Sequence, residues 1–223
     1  MPPSQQILDS WKANAANWIA TIDNADLESR TLVTNSAIVD TLCSYAVNKV
    51  LDIGCGEGWL TRALRAKGKE AYGTDAVAAL IDNAVAKDGR FYETISYREL
   101  ANGARLVAQP FDAAVINFAL IDKEDTDALI NAIPGLLVQK GLLFIQTLHP
   151  MIFAASGGYE TGWKPGSWNG MKRDFEQPYP WWFRTLEDWL LLFSEKFQLM
   201  AVKEPVHPVT RQPLSIIFIL QTR

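Results

Sequence analysis

The chain has 223 residues, of which 48% are hydrophobic and 21% charged, a composition typical of globular proteins. Lysine and arginine number 21 against 25 acidic residues, and no basic cluster is present, so nucleic acid and membrane are not expected partners. Two cysteines are too few for a disulfide scaffold or a multi-cysteine metal site. Because no apolar run could span a membrane and the N-terminus lacks the pattern of a secretory signal, we expect a cytoplasmic protein.

The first fifty residues have a helical pattern. Ile7, Trp11, Trp18 and Ile22 recur at spacings of four and seven, which predicts one amphipathic helix, and a second is expected over residues 34–47. From residue 49 onward, short apolar runs alternate with helical patterns. Five strands are predicted, at residues 49–56, 70–75, 90–95, 111–118 and 141–148. Helices are predicted at residues 59–68, 77–87 and 124–141, the last with a break at Pro134. Such alternation implies a parallel sheet covered on both faces.

Residues 149–184 interrupt this alternation. They hold four of the eight tryptophans, and no period fits them. A stretch of this length without regular elements is either functional or disordered, and its tryptophans argue against disorder. Beyond it, Thr185 and Asp188 have the spacing of a capping box at the start of a helix. The runs 198–205 and 213–220 then predict an antiparallel pair of strands.

The most specific pattern is the D-x-G-x-G-x-G run at residues 52–58, between the first strand and the following helix. Glycines at such a turn permit positive φ and a close approach of the backbone to a ligand. A dinucleotide fold requires its third glycine one position later, where Trp59 is too large, and Asp52 would repel a pyrophosphate. The run therefore favours a cationic or zwitterionic ligand without phosphate. The alternative is a glycine-rich turn that binds nothing.

With this motif, residues 50–148 resemble the core of the class I S-adenosylmethionine-dependent methyltransferases that act on small molecules. The resemblance implies an α/β fold with a Rossmann-like seven-stranded sheet of order 3-2-1-4-5-7-6, strand 7 antiparallel, and helices on both faces. It implies one methyltransferase domain over residues 1–223. Its parts would be a helical N-terminal lid (1–48), a cofactor-binding core (49–148), an aromatic substrate cap (149–184) and a C-terminal helix and hairpin (185–223).

The resemblance also implies S-adenosylmethionine as cofactor and S-adenosylhomocysteine as product. The glycine turn would line the methionine and ribose side, and the ends of the next strands would contact ribose, adenine and sulfonium. The residues so assigned are Asp52, Gly54, Cys55, Gly56, Gly58, Asp75, Ala76, Val77, Ser96, Tyr97, Asn117, Phe118 and Ala119. One carboxylate can accept both ribose hydroxyls, which suits Asp75, although Asp75 could also cap the next helix. Ser96 and Tyr97 could instead belong to a plain loop.

The flanking segments supply further candidates. In the lid, Trp18 and Arg30 are assigned to the cofactor, with Arg30 paired to its carboxylate, and Trp11 is assigned to the substrate. In the cap, the candidate substrate residues are Trp163, Trp168, Tyr179, Trp181 and Trp182. Aromatic residues of this kind line small-molecule sites and predict an aromatic or hydrophobic acceptor. The alternatives are core packing for the lid tryptophans, a solvated Arg30, and a second hydrophobic cluster or dimer contact for the cap.

His149, after the fifth strand, is the candidate catalytic base, because an imidazole can accept a proton near neutral pH. A structural histidine is the alternative. Two histidines without a cysteine cluster predict no bound metal. We therefore expect an enzyme, monomeric or homodimeric, that methylates a small organic acceptor. Two other hypotheses are a protein that binds the cofactor without transferring methyl, and a nicotinamide-dependent oxidoreductase, which Trp59 and Asp52 disfavour.

Overall fold

The computed structural model describes residues 1–154 and 158–223 and contains two β-sheets. The strands are β1 (Lys49–Ile53), β2 (Glu70–Asp75), β3 (Tyr92–Thr94), β4 (Phe111–Asn117), β5 (Leu137–Leu148), β6 (Gly162–Lys164), β7 (Trp181–Phe183), β8 (Phe197–Lys203) and β9 (Ser215–Thr222). Strands β6 and β7 pair with each other, and the other seven form the central sheet. A small sheet therefore lies within the segment for which no regular element was predicted.

The helices precede, follow and connect these strands. They are α1 (Pro3–Ala13), α2 (Ala15–Asp23), α3 (Asn35–Cys43), α4 (Trp59–Ala66), α5 (Ala78–Asp88), α6 (Tyr97–Ala101), α7 (Glu124–Ala132), α8 (Met151–Ala154) and α9 (Leu186–Ser194). A π-helical turn, Arg30–Thr34, leads into α3, and a 3-10 turn, Ile133–Leu136, follows α7. In the described part of the chain, we find no helix with the length and apolarity needed to cross a membrane.

The central sheet has the order β3-β2-β1-β4-β5-β9-β8, with β9 antiparallel to both of its neighbours. Numbered within this sheet, the order is 3-2-1-4-5-7-6, which confirms the predicted fold. Successive residues of β1 point to opposite faces: Leu51 and Ile53 join one buried cluster, and Val50 joins the other. Helices cover both clusters, as expected for a sheet that is mostly parallel.

The first predicted helix is wrong in one respect, because it is divided at Asn14 into α1 and α2. The Asn14 side-chain amide donates to Ser10 O at 2.8 Å and to Glu176 O at 2.7 Å. A contact with a residue far along the chain therefore stabilises the break, and the local sequence does not predict this break. The next helix ends at Cys43, before the predicted residue 47, and its first turn is preceded by the π-helical turn.

Two further predictions need correction. Residues 137–140 were expected to be helical, but they belong to β5, where Leu137 pairs with Phe111 of β4. Helix α6 was not predicted, although Ser96 and Glu99 form a capping box at its start. At α9, Thr185 is the N-cap as predicted and accepts a hydrogen bond from Asp188 N. The Asp188 carboxylate accepts from Arg184, so the reciprocal half of that capping box is absent.

Replacing Thr185 tests this cap directly. We expect Thr185→Ala to lower the free energy of unfolding by about 1 kcal/mol, because the Asp188 N–H loses its acceptor. Thr185→Ser keeps the hydroxyl and should lose less than half of that amount. Urea denaturation of the three proteins provides the measurement. An alanine variant as stable as the wild type, or a serine variant as unstable as the alanine variant, would contradict this role.

Candidate active site

A cavity of about 580 Å³ lies at the carboxyl ends of β1, β2 and β4. The connections from β1 and β4 leave the sheet in opposite directions there, and such a switch point is where open α/β sheets bind ligands. The cavity is covered by α1, α2 and the π-helical turn on one side. Residues 166–184 close the other side. Lid, core and cap thus enclose one space.

The glycine turn forms part of the cavity floor. Gly54 and Gly56 line it with φ of +72° and +58°, values that a residue with a side chain rarely adopts. A Cβ on Gly54 would lie 2.4 Å from the Tyr97 hydroxyl oxygen, so only glycine fits there. Gly58 differs, because a Cβ there would meet the Tyr92 ring at 2.7 Å and the residue does not line the cavity. Two of the three glycines therefore face the cavity, and the third allows packing.

Asp75, at the end of β2, fixes the turn with its carboxylate. One oxygen accepts from Gly56 N at 3.0 Å, and the other accepts from Val77 N at 2.9 Å. The N-cap of α5 is Val77, so Asp75 lies outside the cap position. Each oxygen keeps a lone pair for a second donor, and the carboxylate lines the cavity. Partial removal from water raises the pKa of Asp75, against the opposing effect of these hydrogen bonds.

Arg30 brings a positive charge to the cavity from the lid. Its guanidinium lies 4.8 Å from the centre of the Trp59 ring and 5.7 Å from that of Trp18, within cation–π range of both. Its Nη2 atom is buried and has no hydrogen-bond partner in the described structure. Burial lowers the pKa of Arg30 to about 10, although Glu57 and Asp52 oppose this effect. The side chain therefore remains charged at neutral pH, with one donor available to a ligand.

An ion-pair chain connects the lid to the glycine turn. The fully buried Glu57 carboxylate accepts from Arg62 at 2.5 Å and from Lys87 at 3.1 Å. Lys87 also contacts Asp23 of α2 at 2.6 Å. A buried carboxylate must be paired to be stable, and Lys87 of α5 satisfies this requirement while holding α2. The lid position and the turn conformation are thus coupled through one lysine.

Residues at or after the ends of β3 and β4 complete the side of the cavity that the glycine turn lines. The Tyr97 hydroxyl donates to Ala119 O at 3.1 Å, and burial raises the pKa of this phenol. Phe118 has a φ of +54°, an unusual value for a bulky residue and one that often accompanies functional sites. The Asn117 Oδ1 atom is buried without a hydrogen-bond partner. The Ser96 hydroxyl, by contrast, is used in the cap of α6 with Glu99.

An aromatic cluster joins the lid to the cap. Trp11 packs edge-to-face against Trp18 at 5.1 Å and Trp168 at 5.6 Å between ring centres. Its side chain is also hydrogen-bonded to Tyr179, and burial raises the pKa of that phenol to about 12. Trp181 and Trp182 of β7 line the same cavity. The rings of Trp11, Trp18, Trp168, Tyr179, Trp181 and Trp182 thus line one space, and together they are called its aromatic wall.

Most of the predicted site residues are brought together. Those that line the cavity are Trp11, Trp18, Arg30, Gly54, Cys55, Gly56, Asp75, Ala76, Val77, Ser96, Tyr97, Asn117, Phe118, Ala119, Trp168, Tyr179, Trp181 and Trp182. Gly58, Asp52, Trp163 and His149 do not line it. Asp52 is buried below the turn, where it accepts from the Thr61 hydroxyl at 2.8 Å. Trp163 packs edge-to-face on Trp182, with ring centres 5.3 Å apart.

His149 lies elsewhere, on a second cavity of about 300 Å³. Its Nε2 is 2.8 Å from Glu204 Oε1, and its Nδ1 accepts from Met151 N at 3.2 Å. Glu204 follows β8 and holds the imidazole away from the large cavity. This position corrects the prediction that His149 lies at the mouth of the site, and it assigns His149 a structural contact.

Several lining residues were not predicted. They include Ser4, Ile7 and Leu8 of α1, Ile121, Asp122 and Asp125 near the start of α7, Phe183 at the end of β7, and Arg184 after it. Asp122 lies three residues after the predicted site residue Ala119, and this closeness was a usable signal. Nothing in the sequence marked the three α1 residues as lining residues, because their contact with the cavity depends on how the lid packs.

The sheet order is the one that the resemblance to class I S-adenosylmethionine-dependent methyltransferases implied. Residues 29–198 match a family model described as a methyltransferase domain, so the chain belongs to the methyltransferase domain family. It is 32% identical over 108 residues to the ubiquinone biosynthesis O-methyltransferase of Methylococcus capsulatus, covering 48% of this chain and 46% of that protein. The chain thus matches only about half of that curated relative.

Solved structures share the fold at lower sequence identity. The DhpI–SAM–HEP complex superposes with a TM-score of 0.67 at 15% identity, over 98% of this chain and 97% of that one. An S-adenosylmethionine-dependent methyltransferase from Clostridium acetobutylicum superposes with a TM-score of 0.64 at 13% identity, over 93% and 97% of the two chains. At these identities the likeness concerns the fold alone.

The buried carboxyl of Asp52 generates a pH prediction. Burial, together with the nearby charges of Asp75 and Glu57, raises its pKa to about 7, against the Thr61 hydrogen bonds. The folded protein then holds the proton more tightly than the unfolded chain does, so stability falls as pH rises from about 4 to about 7. We expect this fall to reach a few kcal/mol in the wild type and to be much smaller in Asp52→Asn, which keeps an acceptor for Thr61.

Urea denaturation of both proteins across this pH range is the measurement. Parallel stability curves for the wild type and Asp52→Asn would show that Asp52 ionises with an ordinary pKa in the folded protein.

Proposed function

We propose that the chain transfers a methyl group from S-adenosylmethionine to a small organic acceptor of aromatic or hydrophobic character. The observation that carries this proposal is the single cavity shared by the glycine turn and the aromatic wall of lid and cap. One half offers glycine backbone, a carboxylate and a free guanidinium. The other half offers mainly rings. A cofactor and an acceptor bound in these halves would meet near the end of β4.

The cofactor half fits its ligand group by group. Gly54 and Gly56 leave room for the backbone to lie against the ligand. The Asp75 carboxylate accepts from the two ribose hydroxyls with the lone pairs that remain on its oxygens. Arg30 pairs its free Nη2 with the carboxylate of the methionine part, and the Asn117 Oδ1 atom accepts from a donor such as the amino group.

The chemistry required of the protein is mainly alignment. S-adenosylmethionine supplies a methyl group on a sulfonium, which is already a good leaving group. The residues around the end of β4 orient the acceptor in line with that methyl group, and the lid and cap exclude water from it. The Trp11 cluster performs both tasks at once, because it closes the cavity and contacts the acceptor. His149 has no part in this proposal, since it faces the second cavity.

The aromatic wall supports an organic acceptor with a ring or a hydrophobic body. The name of the Methylococcus capsulatus relative, an O-methyltransferase of ubiquinone biosynthesis, is consistent with such an acceptor. The match covers 48% of this chain and 46% of that protein, so the acceptor of that protein is not transferred to this one. A protein that only stores the cofactor is the rival. Production of S-adenosylhomocysteine upon addition of any acceptor would exclude this rival.

Removal of the Asp75 carboxylate tests the cofactor assignment. We expect Asp75→Ala to weaken S-adenosylhomocysteine binding at least about 10-fold, because charged hydrogen bonds to the ribose and the support of Gly56 are lost. Asp82→Ala, which removes an exposed carboxylate on α5, should leave the affinity unchanged. Calorimetric titration gives both values. Unchanged affinity in Asp75→Ala would overturn the ribose assignment, and a wild type that binds neither S-adenosylmethionine nor S-adenosylhomocysteine would overturn the proposed function.

Two ligands, one with the amino-acid carboxylate and one without it, test whether Arg30 binds that carboxylate. S-adenosylhomocysteine carries the amino-acid carboxylate, whereas 5′-methylthioadenosine lacks it. We expect Arg30→Ala to weaken S-adenosylhomocysteine about 10-fold or more, with little effect on methylthioadenosine, because a buried charge pair is lost for only one ligand. Titrations of both ligands into wild type and variant provide the comparison. Equal losses for the two ligands would show that Arg30 acts through the shape of the lid and not through the carboxylate.

A further inference from the structure

The acceptor half of the cavity has an uneven charge. Its ionisable lining residues are Asp122, Asp125 and Arg184, since Arg30 and Asp75 belong to the cofactor half. Asp125 accepts from Arg98 at 2.9 Å on the exposed side of α7. Two carboxylates and one guanidinium thus border the space for the acceptor, and what matters is how many of these charges are already paired.

Arg184 is fully paired within the chain. Its Nη1 donates to Asp188 Oδ2 at 2.7 Å, its Nη2 donates to Asp127, and its guanidinium lies 5.4 Å from the centre of the Trp189 ring. With two carboxylates on one buried guanidinium, no net positive charge remains for a ligand. An acceptor that carried a carboxylate or a phosphate would therefore find no unpaired cation among the described residues that line this half of the cavity.

Asp122 is different, because its buried carboxylate has no cationic partner among the described residues. It accepts from the Ser4 hydroxyl at 2.8 Å and from Asp125 N at 2.8 Å. Both donors are neutral, and Lys123, next in the chain, pairs with Asp127. Burial raises the pKa of Asp122, and the nearby carboxylates of Asp125 and Glu124 add to this effect. A buried carboxylate in this state is stabilised by a cation or a proton.

Aromatic rings line the same cavity as this carboxylate. The backbone N–H of Trp182 donates to Ile121 O at 2.9 Å, which places β7 against the residue that precedes Asp122. The other rings of the same wall are those of Trp11, Trp18, Trp168, Tyr179 and Trp181. Aromatic faces attract ammonium groups, and a carboxylate among such faces is the usual composition of an amine site.

From these contacts we propose that the acceptor is an amine, held as its ammonium form by Asp122 and the aromatic wall, and methylated on nitrogen. The inference rests on the proposed function, because it concerns the second half of the same cavity. It goes beyond that function by naming the acceptor atom and the residue that recognises it.

The proton balance assigns Asp122 a second task. An ammonium has no lone pair, so one N–H bond must break before nitrogen can react, and the Asp122 carboxylate accepts that proton. The nitrogen lone pair then forms the bond to the methyl carbon, while the carbon–sulfur electron pair stays on sulfur. The product is a methylated ammonium and a neutral thioether. The proton on Asp122 passes to water when the lid opens.

A rival interpretation comes from two unused donors. The indole N–H groups of Trp168 and Trp182 are buried without an acceptor, so they would suit an oxygen atom of the ligand. A neutral oxygen elsewhere on an amine satisfies them. A carboxylate would satisfy them as well, but its charge would face Asp122 without compensation. The two interpretations therefore predict opposite preferences for ligand charge.

Three probes with the same ring separate these cases: tryptamine, tryptophol and indole-3-acetate, titrated into the protein loaded with S-adenosylhomocysteine. We expect tryptamine to bind at least about 10-fold more tightly than the other two. Asp122→Asn keeps an acceptor for Asp125 N, and its amide N–H can donate to the Ser4 hydroxyl in place of the bond that Asp122 accepts. This variant should remove the preference and leave S-adenosylhomocysteine affinity unchanged. Glu124→Gln removes an exposed carboxylate at the start of α7 and should retain the preference.

Tighter binding of tryptophol or indole-3-acetate, binding of none of the three, or a preference that survives Asp122→Asn would overturn the amine assignment. Tightest binding of indole-3-acetate would favour the anionic acceptor instead. S-adenosylhomocysteine binding is measured first, so failure of the proposed function is recognised separately. Unchanged affinity for it in Asp122→Asn also shows that the variant is folded around its site.

Discussion

The enclosed site depends on one amide, that of Asn14. Its Nδ2 donates to Ser10 O and to Glu176 O, and its Oδ1 accepts from Glu176 N at 2.8 Å. The first bond stabilises the break between α1 and α2, and the other two attach the cap to that break. A straight helix would direct Trp11 and Trp18 along one line, whereas the broken helix brings their rings into edge-to-face contact. The position of the lid, the closure of the cap and the aromatic wall follow from this arrangement.

Electrostatics divide the cavity into two halves. In the cofactor half, the lid contributes Arg30, whose charge is supported by two indole rings and left partly free. In the acceptor half, the guanidinium of Arg184 forms ion pairs with the carboxylates of Asp127 and Asp188. The two arginines are therefore not equivalent. The first is positioned to meet an anion of the ligand, and the second joins β7 to the helices around it. Among the described lining residues, the arginine without a carboxylate partner is Arg30, at the end of the cavity that we assign to the cofactor.

The sequence predicted those features that depend on local residue patterns. The alternation of strands and helices follows from their periods, and the sheet order follows from the family resemblance that the glycine run carries. The turn at Gly54 and Gly56 follows from backbone requirements that few other residues meet. The misplaced features depend on distant contacts. His149 is oriented by Glu204, 55 residues later, and Asn14 breaks its helix through Glu176, 162 residues later. Leu137 pairs with Phe111 of β4, although a helical pattern runs into residues 137–140. Local periodicity carries no information on such pairings.

The distribution of charge also explains why the cap could not be interpreted from its tryptophans alone. Aromatic side chains in a cavity indicate an organic ligand. They attract cations and neutral rings alike, so they do not indicate the charge of that ligand. What selects between these ligands is the charge left unpaired beside the rings. That charge depends on Asp127 and Asp188, which neutralise Arg184 and lie outside the cap segment. Only if both carboxylates were absent would Arg184 be unpaired and able to attract an anionic acceptor. With both present, the amine that we propose would meet the unpaired charge of Asp122.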